Sequence, residues 1–327
     1  MASRTFAIDI GTDSIKIYRK GTGLIYFQKT VLAEKNKKKV IAVGNDAYEI
    51  FGKAPDKIEV TFPLKNGVIA SINSMQSLIN CVFLDLSKEY GKIKNPRIYI
   101  AVSADITDIE KKAFYDIMDG CFVRPKSIIM IDKPVADAIG CGIDFYDTKG
   151  SMIVDIGAET TEISVVSTGT LVLSKLFKFG GHDIDEAIIN TIRRKFNILI
   201  GLKTAEQTKR KTVALDNSER ECKLYGRDVV SGLPRDCKVD SAVFRDNVIE
   251  QVNPVVDAIK SVLERTPPEI SADIYRNGVV ITGGTSKIPG IADLIEDGIG
   301  LKIKTVVEPT DSVINGLSAV AEGRITL

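Results

Sequence analysis

Two stretches of the sequence end an apolar run in an aspartate that is followed by a glycine turn. In FAIDIGTDSIKIY these residues are Asp9 and Gly11, and in SMIVDIGAETTEISVV they are Asp155 and Gly157. Glycine lets backbone N–H groups approach a phosphate closely, and threonine or serine hydroxyls add donors. An aspartate at a strand end can hold Mg²⁺ through water, because Mg²⁺ keeps much of its hydration shell. The residue types therefore predict two turns that bind phosphate and Mg²⁺.

The elements that position these turns are predicted to be β-hairpins. Apolar and polar residues alternate on both sides of each turn, as they do in strands. The turns are predicted at Gly11–Ser14 and Gly157–Thr160, and Gly169 marks a further turn before a third strand. One such hairpin is a weak signal. Two of them, about 146 residues apart, indicate duplicated halves that face each other and clamp one triphosphate.

A third glycine-rich element, GVVITGGTSKIPGI, comes late in the chain. Val279–Ile281 reads as a buried strand, and Gly283 and Gly284 allow close backbone approach. A helix is predicted to start near Pro289. A strand, a double-glycine turn and a helix would suit an adenosine packed against backbone, although a plain strand-to-helix turn explains the same pattern.

Length and composition limit the remaining possibilities. A chain of 327 residues is longer than a single hydrophobic core ordinarily supports, so two domains are expected. Lys and Arg total 44 against 43 Asp and Glu, which gives no basic field for nucleic acid, and Lys35, Lys37, Lys38 and Lys39 are interpreted as solvated surface. The five cysteines form no CxxC pair, which predicts reduced thiols in a cytoplasm. No signal core opens the chain, and no apolar run reaches the roughly 20 residues of a membrane span.

The three glycine-rich elements together resemble the actin, Hsp70 and sugar-kinase superfamily, and within it the chain is similar to the MreB-family bacterial actins over nearly its whole length. The resemblance is carried by the blocks IDIGTDSIKIY, FPLKNGVIASI, IYIAVSADITDIEKKAF, IDKPVADAIGCGI, SMIVDIGAETTEISVVS, FGGHDIDEAI, VVSGLPR, LERTPPEISADIYRNGVVITGGTSKIPGI and EPTDSVINGLSAVAEG. It implies an α/β fold of the two-domain actin-like (ribonuclease H-like) type. Each domain would be a mixed β-sheet with flanking helices, and the nucleotide would lie in the interdomain cleft.

The same resemblance implies domain boundaries. Domain I would comprise residues 1–145 and 311–327, with a small insert at about 33–75. Domain II would comprise residues 146–310, with its own insert at about 190–245.

The resemblance also implies roles for individual residues. The ligands would be ATP or ADP and Mg²⁺, with Asp9 and Asp155 holding the metal through water. The catalytic residues would be Asp155 and Thr160, with Lys133 in the position of a usual glutamate. The residues implied to contact the nucleotide are Asp9, Gly11, Thr12, Asp13, Lys16, Gly157, Ala158, Glu159, Gly181, Glu206, Lys209, Arg210, Gly283, Gly284, Thr285 and Ile288. Glu206, Lys209 and Arg210 share one helical face by their i, i+3 and i+4 spacing and would hold ribose and adenine. The alternative interpretation is an exposed charged face.

Two departures from the family pattern lie where the γ-phosphate is expected. MreB proteins typically read IEEPMAAAIG, and the second glutamate orients the hydrolytic water; this chain has Lys133 there. Loss of such a group typically costs about 10²–10⁴-fold in rate, so hydrolysis is predicted to be weak or lost. In the second turn Ala158 and Glu159 replace two glycines. One hypothesis pairs Glu159 with Lys133, with Lys16 nearby; the alternative turns Glu159 to solvent.

Two further predictions concern the segment GGHDID. The lone histidine, His182, is interpreted as a neighbour of a helix N-terminus, because a single histidine without cysteine partners is poor evidence for metal. Asp183 is predicted as the N-cap, with Glu186 three residues later.

The function implied is that of a bacterial actin-like cytoskeletal protein that binds ATP–Mg²⁺ and polymerises into filaments involved in cell shape or motility. Its partners would be copies of itself, with an antiparallel double filament as one form, and MreB paralogues, with weak or no binding to membrane surfaces. It is placed in the cytoplasm, with membrane association left open. The alternatives are a non-hydrolysing scaffold that assembles with an active paralogue and a sugar-kinase-like phosphotransferase, although no catalytic-Asp motif for a hydroxyl substrate accompanies the turns. The helix from Asp108 through Ile117 would serve lateral pairing or ordinary core packing.

Overall fold

The computed structural model describes residues 4–36, 39–144, 146–216 and 218–327. The described part divides into two compact units, of which unit 1 is Met1–Thr148, Val166–Leu176 and Asp311–Leu327. Unit 2 is Lys149–Val165 and Phe177–Thr310. Residues 166–176 group with unit 1. The domain boundaries implied by the resemblance stay a prediction. Two members of the predicted lysine cluster, Lys37 and Lys38, lie outside the described residues.

The elements alternate along the chain as expected for an α/β protein. The strands are β1 (Thr5–Ile10), β2 (Ser14–Arg19), β3 (Gly23–Lys29), β4 (Leu32–Lys35), β5 (Lys39–Val43), β6 (Ile58–Thr61), β7 (Leu64–Lys65), β8 (Val68–Ile69), β9 (Arg97–Val102), β10 (Ser127–Asp132), β11 (Ser151–Ile156), β12 (Thr161–Ser167), β13 (Thr170–Phe177), β14 (Ile198–Leu199), β15 (Glu221–Asp228), β16 (Pro234–Asp240), β17 (Val279–Thr282) and β18 (Ile303–Thr305). The helices are α1 (Gly44–Ile50), α2 (Ile72–Tyr90), α3 (Asp108–Asp119), α4 (Lys133–Gly140), α5 (Gly181–Phe196), α6 (Leu202–Thr212), α7 (Ala242–Arg265), α8 (Pro268–Asn277), α9 (Ile291–Ile299) and α10 (Ser312–Glu322), and Gly284–Lys287 forms a 3₁₀ turn.

The main sheet of unit 1 has the strand order β10-β9-β1-β2-β3. Strand β1 runs antiparallel to β2 and parallel to β9, which in turn is parallel to β10. Because the carboxyl ends of parallel strands meet at one edge of a sheet, the turn after β1 and the start of α4 after β10 lie at the same edge. The topology therefore brings the Asp9 turn and Lys133 to one end of unit 1.

The two faces of this sheet are covered by different helices. Phe6, Ile8 and Ile10 pack into a core with residues of α2 and α3, whereas Ala7 packs into a second core with α4 and α10. This is the alternation of a strand buried on both faces. By the same alternation Asp9 shares the face of Ala7.

Helix α3 supplies apolar side chains to the first of these cores. Phe114, Ile117 and Met118 are buried there, while Ile109 on the same helix is 83% exposed. The apolar face predicted from the sequence therefore packs against the sheet of unit 1, which is the core-packing alternative.

The region between β3 and α2 contains a small second sheet in unit 1. Its strand order is β5-β4-β6, and Val31, Ala33 and Ala47 form its core together with α1. This substructure occupies the place of the predicted insert at about 33–75.

The second five-stranded sheet has the strand order β13-β12-β11-β17-β18, and β17 lies parallel to β11 on one side and to β18 on the other. Asp155 at the end of β11 stands opposite Thr282 at the end of β17. The turns after β11 and β17 are therefore at the same edge of this sheet. A three-stranded sheet, β14-β15-β16, lies within the predicted insert at about 190–245. None of the helices in the described residues is long and apolar enough to cross a membrane.

Candidate functional site

The first turn, Gly11 to Asp13, is held by hydrogen bonds to its own hairpin and to Thr30. The Gly11 N–H donates to the Ser14 carbonyl at 2.9 Å, and the Thr30 hydroxyl donates to the Gly11 carbonyl at 2.6 Å. The Thr30 N–H donates to the Asp13 carbonyl at 3.0 Å. Both ends of the turn are thereby fixed before any ligand binds.

Two buried charged residues, Asp9 and Lys16, lie in the strands that flank this turn. Asp9 and Lys16 face each other in the β1–β2 register and are only 8% and 4% exposed. The ammonium of Lys16 lies 3.2 Å from the Asp311 carboxylate and 5.1 Å from the centroid of the Phe27 ring. A buried ammonium needs such partners, because unpaired charges are costly to desolvate. The predicted contact of Lys16 with phosphate stays a prediction.

The remaining charged residue of the first turn is also paired within unit 1. The carboxylate of Asp13 lies 2.6 Å from the Lys29 ammonium, which sits 4.7 Å above the centroid of the Tyr48 ring. This contact ties the tip of the turn to β3 and α1. The contact of Asp13 with a nucleotide stays a prediction.

Lys133 is the first residue of α4 and directly follows β10. Its side chain is partly buried, and the preceding Asp132 lies 3.9 Å from the Lys111 ammonium. The position is that of a side chain presented at the carboxyl edge of a parallel sheet, where ligands of α/β proteins commonly bind.

The second turn, Gly157 to Thr160, repeats the backbone hydrogen bond of the first. The Gly157 N–H donates to the Thr160 carbonyl at 2.8 Å. The Gly157 carbonyl accepts from the Gly181 N–H at 3.0 Å and from the Thr285 hydroxyl at 2.7 Å. The Ala158 carbonyl accepts from the His182 N–H at 2.7 Å. The turn is therefore joined to the first turn of α5 and to the 3₁₀ turn.

Gly283 packs its bare backbone against the strand that carries Asp155. Its φ is +87°, and a Cβ atom there would lie 2.2 Å from the Asp155 carboxylate and 2.3 Å from the Ile156 carbonyl. Asp155 itself is 5% exposed. Glycine at this position therefore allows the strand end and the third glycine-rich element to meet.

The third element differs in detail from the prediction. A 3₁₀ turn, Gly284–Lys287, follows β17, and the helix begins at Ile291. Thr285 and Ile288 are 6% and 8% exposed, and the Ile288 N–H donates to the Thr285 carbonyl at 3.1 Å. The predicted start near Pro289 was early, because the Ile288–Gly290 link leads to a left-handed Gly290 at the N-cap.

Helix α6 carries the three residues predicted to hold ribose and adenine. The Lys209 ammonium donates to the Gly181 carbonyl at 2.6 Å and to the Asp185 carboxylate at 2.9 Å. Burial raises the pKa of Asp185, and the charge and hydrogen bond of Lys209 oppose that rise. Arg210 pairs with Glu206 at 2.6 Å. Lys209 thus links α6 to the first residues of α5. The contact of Lys209 with a nucleotide stays a prediction.

Glu159 and His182 form a pair that sequence reasoning missed. The His182 Nδ1 atom lies 3.1 Å from the Glu159 Oε1 atom. Burial alone would lower the pKa of His182, but the hydrogen bond and charge of Glu159, together with the charge of Asp185, raise that pKa above its usual value. His182 is the second residue of α5, so it lies at a helix N-terminus as predicted. The proposed pairing of Glu159 with Lys133 stays a hypothesis.

The predicted cap of α5 was wrong. The helix begins at Gly181 with Gly180 as the N-cap, and Asp183 is the third helical residue. Its carboxylate accepts a hydrogen bond from the Gly180 N–H at 2.7 Å. An acidic residue at this position reaches back to the N-cap as in a capping box, so it stabilises the helix start from inside the helix.

The predicted site residues thus fall into two groups. Unit 2 brings together the second turn, the start of α5, Lys209 of α6, and Gly283 and Thr285 at the end of β17. Unit 1 brings together Asp9, the first turn and Lys16. Each group combines bare backbone, hydroxyls and charged side chains, which is the chemistry of a phosphate site.

Comparison with known proteins assigns the chain to a family. The MreB/Mbl protein family model matches residues 3–326. Among curated proteins, the cell shape-determining protein Mbl of Bacillus subtilis is 37% identical over 325 residues, covering 98% of this chain and 97% of Mbl.

Solved structures agree with this match. MreB5 of Spiroplasma citri bound to AMPPNP matches with a TM-score of 0.90 at 30% identity, covering 98% of this chain and 96% of that chain. The MamK double helical filament matches with a TM-score of 0.79 at 20% identity, covering 97% of this chain and 98% of that chain, which supports the fold alone. The predicted family and the actin-like α/β fold, with two five-stranded sheets flanked by helices, are confirmed. The chain belongs to the MreB/Mbl family and is a bacterial actin-like cytoskeletal protein.

Proposed function

We propose that the chain binds ATP or ADP together with Mg²⁺ and that it hydrolyses ATP slowly. The observation that carries this proposal is the convergence in unit 2 of the second turn, the start of α5 and the 3₁₀ turn after β17. The carbonyl of Gly157 accepts hydrogen bonds from both Gly181 and Thr285. The AMPPNP bound to the MreB5 relative supports the same ligand class for this chain.

The two turns are assigned the contacts with the phosphates. Backbone N–H groups of a glycine turn and threonine hydroxyls suit phosphate oxygens. The residues so assigned are Gly11, Thr12, Asp13 and Lys16 in unit 1 and Gly157, Ala158, Glu159 and Thr160 in unit 2. The nucleoside is assigned to Gly181, Glu206, Lys209, Arg210, Gly283, Gly284, Thr285 and Ile288.

Asp9 and Asp155 are assigned to Mg²⁺, through water. Carboxylate oxygens are ligands that Mg²⁺ prefers, and it commonly takes one or two of them together with waters and phosphate oxygens. Asp155 fits this role, because its Oδ1 atom stands at the strand end beside the bare backbone of Gly283. When bound, the ion would neutralise phosphate charge.

Slow hydrolysis is proposed because an ammonium occupies the position of a water-orienting carboxylate. Lys133 begins α4 at the carboxyl edge of the sheet that also carries Asp9. An ammonium can bind phosphate as a point charge, but it cannot accept a proton from water when it is itself protonated.

Phosphate release measures this directly in wild type, Lys133→Glu and Lys133→Gln. We expect Lys133→Glu to raise the rate at least tenfold, because general-base groups typically contribute about 10²–10⁴-fold. Lys133→Gln removes the charge without supplying a carboxylate, so we expect it to stay close to wild type. Wild-type release as fast as that of Lys133→Glu would contradict the proposal.

We further propose that copies of the chain polymerise, with an antiparallel double filament as one form, and that the filaments act in the cytoplasm in cell shape or motility. The name of the Mbl relative, a cell shape-determining protein, supports this role. Binding to membrane surfaces is proposed to be weak or absent. Sedimentation with and without ATP–Mg²⁺ tests the assembly, and vesicles containing anionic lipid in the same assay test the membrane. A chain that stays in the supernatant at every concentration, with and without ATP–Mg²⁺, would contradict self-assembly.

The second candidate is a non-hydrolysing scaffold that assembles with a catalytically active MreB paralogue. Lys133 is the observation that favours this candidate. A subunit without a water-orienting carboxylate would depend on a partner subunit that has one for ATP hydrolysis. Cosedimentation of the chain with such a paralogue, under conditions where the chain alone stays in the supernatant, would identify it.

A further inference from the structure

The proposed function leaves the role of the Glu159–His182 pair unexplained. A carboxylate inside a phosphate-binding turn repels the ligand, and Glu159 stands in the second turn two residues after Gly157. Its Oε1 atom lies 3.1 Å from His182 Nδ1, and the side chains are 22% and 40% exposed. The backbone of the same histidine donates to the Ala158 carbonyl at 2.7 Å. His182 therefore touches the turn through both its backbone and its ring.

The charges that face His182 come from three elements. Glu159 of the second turn and Asp185 of α5 favour the protonated ring, whereas Lys209 of α6 disfavours it. Lys209 is itself held by Asp185 at 2.9 Å. Asp183 on the same helix is engaged by the Gly180 N–H. Loss of the His182 proton therefore removes one positive charge from beside Glu159 and the second turn.

We propose that protonated His182 neutralises Glu159 in the second turn, so that the affinity for nucleotide falls when the imidazole loses its proton. This inference rests on the proposed nucleotide binding and deepens it. His182 is a positioning residue here, because it acts on the ligand through the charge of Glu159. The ligand class it tunes is an anionic nucleoside diphosphate or triphosphate.

The sign follows from the charge of the pair. With the ring protonated the pair is neutral overall, and above the pKa of His182 it carries one negative charge beside the phosphates. Because Glu159 raises that pKa above its usual value, the neutral pair persists to higher pH than an isolated histidine would allow. Linkage is reciprocal, so nucleotide binding must raise the pKa of His182 further. A rise of about one unit corresponds to about a tenfold change in affinity.

The first experiment uses the fact that the chain contains a single histidine. Its imidazole C2 proton resonance reports the protonation of His182 by NMR without assignment. We expect the pKa from this titration to rise when ADP–Mg²⁺ is added and to fall in Glu159→Gln. A pKa of His182 that is the same with and without saturating ADP–Mg²⁺ would overturn the inference.

The second experiment measures ADP–Mg²⁺ affinity in four proteins between about pH 5.5 and about pH 9, the range in which a perturbed histidine titrates. They are wild type, Glu159→Gln, His182→Asn and the control Glu221→Gln, which removes the same charge from an exposed pair with Lys238 elsewhere in unit 2. The phosphate of ADP also titrates, but it does so equally for all four, so affinity ratios isolate the protein.

We expect wild type and Glu221→Gln to lose about tenfold in affinity relative to His182→Asn as pH rises through the pKa of His182. Glu159→Gln should show its loss at lower pH, because the pKa of its His182 is lower. We expect His182→Asn to bind ADP–Mg²⁺ at every pH about as weakly as wild type binds it above the pKa of His182. A pH profile of His182→Asn that parallels the wild-type profile would overturn the inference while leaving nucleotide binding intact. Failure of wild type to bind at any pH would overturn the proposed function and this inference together.

Discussion

At the scale of single residues, the candidate site depends on side chains that contact backbone left open by glycine. The Asp155 carboxylate stands where a Cβ on Gly283 would be, and the Lys209 ammonium donates to the Gly181 carbonyl. The proposed phosphate contacts and the packing of the strand ends therefore depend on the same atoms. A substitution that adds one methyl group at such a place changes both.

Gly283→Ala is expected to destabilise unit 2 and to abolish nucleotide binding. Its φ of +87° is disfavoured for alanine, and the new Cβ would lie 2.2 Å from the Asp155 carboxylate. Strain of this kind typically costs about 1–3 kcal/mol, and urea denaturation measures it. The neighbouring Gly284→Ala is the control for stability, because its Cβ would be 3.6 Å from the closest atom, in the Thr310 side chain. Equal midpoints for the two variants would contradict this account.

The residues that sequence reasoning identified are those whose signal is local. Asp9, Gly11, Asp155 and Gly157 stand at the junction of a strand pattern and a turn, so spacing alone reveals them. The Glu159–His182 contact joins residues 23 positions apart, and the Lys209–Gly181 contact joins residues 28 apart. Such contacts exist only once the second turn, α5 and α6 are packed, and no single sequence pattern encodes them.

At the scale of elements, helices α4 and α10 of unit 1 cross at very short range. A Cβ on Gly316 of α10 would lie 1.8 Å from the Ala136 carbonyl of α4, and one on Gly140 would lie 1.8 Å from the Ser312 carbonyl. The Ser312 hydroxyl also donates to the buried Asp137 carboxylate at 2.6 Å. This crossing sets the position of α4, whose first residue is Lys133.

Gly316→Ala is therefore expected to lower the stability of the protein. Alanine in a helix is normally favoured over glycine by about 1 kcal/mol, but overpacking typically costs about 1–3 kcal/mol. We expect a clash with backbone to lie at the upper end, for a net loss of about 2 kcal/mol in urea denaturation. Asn315→Ala on the exposed side of the same helix should stay within about 0.5 kcal/mol of wild type. A Gly316→Ala protein more stable than wild type would show that the helices separate freely.

Prediction at this scale succeeded where periodicity was strong and failed at element ends. The hairpins around both turns, α3 and α6 follow from alternating or helical spacing. The 3₁₀ turn at Gly284–Lys287 and the N-cap at Gly180 were missed, since several residues in a glycine-rich stretch compete to begin a helix. The choice is made by tertiary contacts, here the carbonyls of the second turn.

At the scale of the whole molecule, the two five-stranded sheets repeat one strand arrangement. The order β3-β2-β1-β9-β10 corresponds to β13-β12-β11-β17-β18, and each central strand carries the aspartate before its turn. The duplication inferred from the two similar hairpin sequences is thus present in the topology of the two sheets. The departure from the family pattern at Lys133, an ammonium in place of a carboxylate, is expected to affect turnover and not the fold.

Filament lifetime is the property in which this difference should appear. If hydrolysis resets subunits in a filament, a chain with Lys133 should form polymers that outlast those of a hydrolysing subunit. We expect the wild-type pelleted fraction to stay constant for hours in ATP–Mg²⁺ and to equal that in AMPPNP. Lys133→Glu should pellet initially to the same extent in ATP and then decline as phosphate is released, while remaining constant in AMPPNP. Lys133→Gln should behave as wild type, because it supplies no carboxylate. A wild-type pellet that declines in ATP but persists in AMPPNP would show that Lys133 does not silence turnover.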